Sequence, residues 1–385
     1  MWTASDLYRH GVAQIRMKQP TPSATPPGSS QRGDGDRDLV QAASAFTAEN
    51  RVLSWWHVCS SFAVLMAVLV GTALVPWWPL RIVGTVVEAL MLVRVFVLYH
   101  DYMHGAILGG SKVGGALFHC FGMLFLSPPR SWRQSHNFHH GHVGQIAGSS
   151  TGSFPLFTTE MWAKASRTQR LQYRISRHPL TFALAYLTVF LISITLLPLL
   201  QNARRHWDSA VAIAAHATLI AMLWIFAGFL VVLHTCLLPM LLAAALGAYL
   251  FYAQHNYVGM NVLSAEQWGF QRAALESSSY MRLGPIMRRF TGNIGYHHVH
   301  HLNPHIPFYR LPEAMAKVPE FQRAAVTTLS PRDVFACLRL KVWDPVSRRM
   351  LGFREATAAA RQAPAAESSG SRGTAPDGTG ARAAR

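Results

Sequence analysis

Nine of the chain's nineteen histidines fall in three short clusters, eight of them at helix-compatible spacing. They are His100-Asp-Tyr-Met-His104, His136-Asn-Phe-His139-His140 and His297-His-Val-His300-His301. On a helix, residues four apart, or three and four apart, share one face, so each cluster gathers its rings where they can meet one ion. His298 lies roughly 200° around the helix from His300 and points away. One H-x-x-x-H arises by chance, and a lone histidine near a membrane boundary is commonly a polar group satisfied by a hydrogen bond. Eight rings in three clusters are different. Packing has no use for imidazole, and burying that many polar rings without partners is costly. The clusters therefore read as metal-ligand boxes. His255, in Tyr-Ala-Gln-His-Asn, ends an apolar stretch one turn from the same place and is read as a further ligand. His119, His142 and His305 lie off the spacing and are left out.

Eight or nine neutral imidazoles exceed the needs of one ion and suit two, each with open or water-filled positions. Imidazole suits Zn, Cu, Fe and Ni alike, so the ligand type alone does not choose the metal. The chain contains no E-x-x-H, the signature of carboxylate-bridged metal bundles, and no H-E-x-x-H of zinc proteases. Cys59, Cys120, Cys236 and Cys337 are far apart and form no C-x-x-C, so neither a zinc knuckle nor an iron–sulfur cluster is encoded. They read as reduced and structural.

The elements that position the boxes are apolar. Half of the 385 residues are hydrophobic and 14% are charged, against about a quarter charged in soluble domains. Residues 57–75 and 82–99 are predicted to cross the bilayer as a hairpin around Pro76-Trp77-Trp78-Pro79 and deliver the chain to His100. Residues 113–126 are apolar but too short to span. For the boxes to share a centre, only an even number of the stretches 180–200, 209–233 and 236–253 can cross. The last two are read as a second spanning hairpin and 180–200 as interfacial or re-entrant. The expected fold is thus an all-α integral membrane protein with four transmembrane helices, interfacial helices and a helical cytosolic cap carrying the boxes. Residues 1–54 and 354–385 are polar and expected to be disordered, leaving residues 55–353 as the folded domain.

The net charge is +17. Residues 127–178 hold seven bases and one acid, and 257–353 hold twelve and six, which places both segments and both termini in the cytoplasm by the positive-inside rule. Because the bases flank spans, nucleic-acid binding is not indicated. Arg167, Arg170, Arg174 and Arg177 recur along one helical face and read as a solvated or headgroup-facing stripe. Within the second span, Arg94 is expected to snorkel to the surface, and Glu88 has no evident partner.

The set H-D-x-x-H, H-x-x-H-H and H-x-x-H-H resembles the membrane-bound fatty acid desaturase family. The surroundings TGNIGYHHVHHLNPHIPFYRLPE, YAQHN and SWRQSHNFHH are similar to bacterial members of the omega-6 or delta-12 type. The likeness covers roughly residues 55–350. It implies a di-iron centre at the cytosolic membrane surface that uses dioxygen and electrons from a separate donor to remove two vicinal hydrogens from a long acyl chain. Carried over by position, the ligands are His100, His104, His136, His139, His140, His255, His297, His300 and His301. Asp101 would accept an N–H from a ligand ring, its other reading being a helix-end carboxylate. No fused cytochrome b5 motif H-P-G-G is present, so the donor would be a ferredoxin- or cytochrome b5-type protein. The chemistry agrees independently. A methylene offers no acid, base or leaving group, so only a metal–oxygen oxidant can attack it.

The first box departs from the family's commoner form, with Tyr102-Met103 in place of Cys-Gly. Some hydroxylases and carotenoid ketolases carry H-D-x-M-H on the same scaffold, and that is the alternative reading. A metal transporter would place its ligands deep within spans, whereas these stand at span ends and in polar segments.

Overall fold

The computed structural model describes residues 34–146, 153–264 and 266–362, and the regular structure among them is almost all helix. Among the described residues, four helices are long and apolar enough to cross a membrane: α2 (Arg51–Leu74), α3 (Trp78–His104), α8 (Trp207–Ala227) and α9 (Phe229–Gln254). The Asn50 side chain caps α2 by accepting from Leu53 N, and Pro79 opens α3 where its missing N–H costs nothing. Gly105, at φ +76°, ends α3 immediately after His104. The α2–α3 turn exposes Trp77 and Trp78, and Trp224 and Phe226 precede the α8–α9 turn. Such aromatics suit a membrane boundary.

The second hairpin turns earlier than the apolar pattern predicts. The break is Gly228, at φ +84°, a conformation glycine adopts without penalty. Residues 229–233, assigned from sequence to the descending span, therefore belong to α9. The stretch expected to be re-entrant forms a short apolar helix, Tyr186–Gln201, that is not among the four long ones. Residues Tyr186–Leu196 of it are π-helical. Hydroxyls support that wider turn: Ser193 Oγ donates to Thr188 O and Thr195 Oγ1 to Phe190 O, both five residues back and both at 2.8 Å. In apolar surroundings these bonds satisfy the hydroxyls themselves.

Before the spans lies α1 (Asp34–Ser44). Between the two hairpins lie α4 (Lys112–Leu124), α5 (Pro129–His142), α6 (Thr159–Lys164) and α7 (Arg167–Ser176). After α9 the chain builds a cap from α10 (Phe270–Glu276), α11 (Pro285–Phe290), α12 (His297–Leu302), α13 (Leu311–Lys317), α14 (Pro331–Arg339) and α15 (Phe353–Gln362). Two small β ladders tie the cap together. One joins Phe157–Thr158 to Val342–Asp344 and Arg349–Leu351, the other Tyr280–Met281 to Val326–Thr327. The core runs along α3, where Phe96 and Tyr99 pack with Phe125 and Trp132.

Most of the two segments expected to be disordered tails lies outside the described residues. Of the described residues within them, 34–44, 51–54 and 354–362 are helical and 45–50 are turn and irregular chain, which corrects the expectation there. Leu39, Ala43 and Phe46 are buried against the core, and Ala356 of α15 packs with Trp162 and Tyr173. Few apolar residues sufficed, because each short helix presents them on one face.

The arginine expectations also change. Arg94 does not snorkel. It is buried, donating to Ser61 Oγ at 2.8 Å and to the carbonyl of Arg289 at the end of α11. Arg170 and Arg174 lie over the Trp162 ring at 5.3 and 5.5 Å, while Arg177 is buried and bonded to Pro155 O, Tyr252 Oη and Asn256 Oδ1. Three of the four supposed stripe members are thus structural. A buried guanidinium with several acceptors serves as a staple between elements.

The α2–α3 crossing is close. A Cβ on Gly84 would stand 2.1 Å from Thr72 Oγ1 and 3.1 Å from Thr72 Cβ. Gly84→Ala is therefore expected to destabilise the protein by about 1–3 kcal/mol, read as a lower thermal midpoint in detergent. Adding Thr72→Ala should restore most of it.

Candidate metal centre

Four helix ends converge on one place. α3 contributes His100 and His104 in its last turn, and α9 ends at His255. α5 contributes His136, His139 and His140, and α12 contributes His297, His300 and His301. The nine rings form two groups. His100, His104, His136, His140 and His300 make one, and His139, His255, His297 and His301 make the other, with each group's ligand atoms within 4.8 Å of one another. The i, i+3, i+4 boxes are thereby divided. The i, i+4 pair of α5 serves the first group and its i+3 ring the second, whereas α12 sends His297 and His301 to the second and His300 to the first.

The contacts within each group are between Nε2 atoms. In the first, His104–His136, His136–His140 and His140–His300 stand at 3.0, 3.1 and 3.2 Å. In the second, His255 Nε2 stands 3.1 Å from that of His139, 2.8 Å from that of His297 and 3.1 Å from that of His301. His255 Nδ1 donates to Ser277 O at 3.0 Å, so its Nε2 carries a lone pair and no proton. One lone pair can accept from only one of three neighbouring Nε2 atoms at a time, and a cation among them would relieve the crowding of the rest.

Protons do not supply that cation. Burial first, and then the neighbouring imidazoles, hold His136, His139, His140, His297, His300 and His301 well below the ordinary histidine range. Burial takes His255 down to about 4. Neutral imidazoles are the form that binds metal. The residues present therefore fit a pair of transition-metal ions, and the all-nitrogen donor set disfavours Mg²⁺ and Ca²⁺.

Asp101 lies against the first box. Its Oδ1 is 3.2 Å from His100 Nδ1, and its Oδ2 accepts from Phe308 N at 2.7 Å. One carboxylate thus joins the first box to the loop beyond the third. His298 is turned away, its Nε2 3.0 Å from Phe321 O. His119, on Gly115 O, and His142, on Phe138 O, stand outside both groups.

Two groups against the rings were not singled out from sequence. Trp132 stacks on His136 with ring centroids 4.3 Å apart at 23°, and Phe251 packs on His139 at 4.8 Å. Both lie four residues before a ligand, Trp132 before His136 and Phe251 before His255, and that spacing was a usable signal. The Ser277 carbonyl, being backbone, left none.

A cavity of about 570 Å³ opens beside the rings. His100, His136 and His297 line one part of it, and Phe190, Ile194 and Gly247 line another. Its size is that of a pocket for a substantial small molecule, and its walls are mainly apolar.

A family model described as fatty acid desaturase matches residues 76–332. The chain belongs to the fatty acid desaturase family. It is 31% identical over 276 residues to a fatty acid desaturase of Bacillus subtilis (strain 168), covering 70% of this chain and 76% of that protein. It is 26% identical over 272 residues to a probable fatty acid desaturase of Sorghum bicolor, with 68% and 69% covered. It is 22% identical over 274 residues to a chloroplastic omega-3 fatty acid desaturase of Brassica napus, with 67% and 65% covered. The desaturase is accordingly an oxidoreductase acting on a lipid acyl group, with a histidine cluster compatible with a metal site.

Asp101→Asn is expected to weaken metal binding by roughly 10- to 100-fold, as loss of a carboxylate that orients a ligand ring does. Competition with a chelator reads this directly, and unchanged affinity would show that Asp101 serves only the Phe308 backbone.

Proposed function

We propose that the desaturase inserts a double bond into a long-chain fatty acyl group, using dioxygen at a di-iron centre held by His100, His104, His136, His139, His140, His255, His297, His300 and His301. The observation that carries this is the meeting of two all-imidazole nests with an apolar cavity. Two bound irons would supply the oxidising power that an unactivated methylene requires. The chain's own residues do the rest. The cavity wall, through Phe190, Ile194 and Gly247, excludes water and holds the chain so that one carbon pair lies beside His100, His136 and His297. Trp132 and Phe251 fix ring orientations, Ser277 O fixes the His255 tautomer, and Asp101 orients His100.

The catalytic domain is taken as residues 55–353, with α1 and α15 packed on it from the flanking segments. The boxes and both termini face the cytoplasm in this reading, as the basic polar segments favour. Electrons come from a separate ferredoxin- or cytochrome b5-type protein. The exposed Arg133, whose Nη2 lies 3.6 Å from Met103 Sδ in the first box, supports a basic docking face above the centre. The variant Tyr102-Met103 box favours one second reading, hydroxylation or ketolation of a lipid or carotenoid on the same scaffold.

Expression in a host that supplies both kinds of reductant, beside a His139→Ala control, tests this. Acyl groups lighter by two hydrogens, absent in the control, are the expected result in the extracted lipids, with about two irons per purified chain. Lipids gaining oxygen instead would establish the second reading. Full turnover by the His139→Ala protein would remove His139 from the centre.

A further inference from the structure

The cavity beside the imidazoles has an edge that the acyl reaction does not explain. Gln201 is exposed and His206 buried, and both line it, so the cavity reaches the surface between Tyr186–Gln201 and the start of α8. That opening stands at the box-bearing end of the bundle. Ser131 Oγ of α5 is 2.9 Å from His206 Nδ1, and Arg130 N donates to Asp208 Oδ2 at 2.9 Å.

The lip is basic. Arg130 and Arg205 are exposed near His206, with exposed Arg204 next in the chain, and the carboxylate of Asp208 is buried and engaged with the Arg130 backbone. Arg130 and Arg205 both lie close enough to His206 to act on it electrostatically. Arg130 also lies over the Trp207 ring at 5.1 Å. No described acidic side chain pairs with Arg130, Arg204 or Arg205. Beside them the surface is apolar: Leu200 is 71% exposed and Trp207 50% exposed, at the first residue of a helix long and apolar enough to span. Guanidinium groups and a tryptophan at the start of a span make an interface-level site for an anionic headgroup. A soluble thioester would approach from water and gain nothing from Leu200 and Trp207.

We propose that this lip is a headgroup site, in which Arg130 and Arg205 hold the phosphate of a phospholipid whose acyl chain occupies the cavity. The acyl group is then taken sideways from the bilayer as a phospholipid ester. This rests on the desaturase reading of the cavity, and the test separates the two.

Purified wild-type protein and the Arg205→Glu and Arg130→Gln/Arg205→Glu variants are compared for lipid retention by native mass spectrometry. The probes are phosphatidylglycerol, the diacylglycerol bearing the same chains, and the corresponding acyl-coenzyme A. Wild type is expected to retain phosphatidylglycerol best. Arg205→Glu should lower that retention roughly fivefold and the double variant roughly twentyfold. Diacylglycerol retention should not move, and the thermal midpoint should fall by no more than the loss of one exposed contact, Arg130 over the Trp207 ring, accounts for. Equal retention of phosphatidylglycerol by all three proteins overturns the proposal. Stronger retention of acyl-coenzyme A than of phosphatidylglycerol does so too, assigning the arginines to a soluble phosphate-bearing carrier. Retention needs no turnover. Arginine-dependent retention without any new double bond in host lipids therefore refutes the desaturase reading and leaves the site, while new double bonds with arginine-independent retention do the reverse.

Discussion

Eight imidazoles bring their Nε2 atoms to within 3.3 Å of another ring's, a crowding that positive charge between them would relieve, and much of the structure serves that arrangement. The rings must be dry enough to stay neutral, yet each must be held by something other than its neighbours. Helix ends meet both demands. A ring on the last turn of α3, or on the residue closing α9, is anchored by a long rigid element whose own backbone bonds are satisfied. The two hairpins bring those ends to one level, and α5 and α12 then lie across them with their ligand faces inward.

The division of each i, i+3, i+4 box between two groups follows from helix geometry. Residues i and i+4 differ by about 40° around the axis and i+3 lies to the other side of i. One short helix can thus serve two nearby ions, with the pair on one side and the single ring on the other. α5 and α12 do so in opposite senses, so each group draws rings from both helices. This crossing explains how 14 residues in α5 and six in α12 suffice for six ligands.

An apolar shaft with a polar head leaves the polar groups inside it to be accounted for one by one. Arg94 satisfies the end of α11 and so ties the third box to the second span. The hydroxyls of Ser193 and Thr195 find acceptors in the π-helical turns that line the cavity. Thr85 Oγ1 meets His234 at 3.0 Å. Glu88 stands apart: it is buried, with Oε2 lacking a hydrogen-bond partner, and nothing in the structure explains it.

The gathering of the nine rings and the four long helices were legible in the sequence because both are local signals. Spacing along a helix determines which rings share a face, and uninterrupted apolar length determines what can span. The hairpin turn at Gly228 was misjudged, since within a run of apolar residues hydropathy does not register a single positive φ. Ordered α1 and α15 were missed because a few well-placed apolar side chains do not change a polar composition. What only the tertiary structure decided is which ring joins which group, that Arg94 and Arg177 staple elements together, and where the cavity opens. These depend on contacts between residues tens to hundreds of positions apart, such as Asp101 with Phe308 and His100 with His300. A pattern of spacings carries no information about which elements will meet in space.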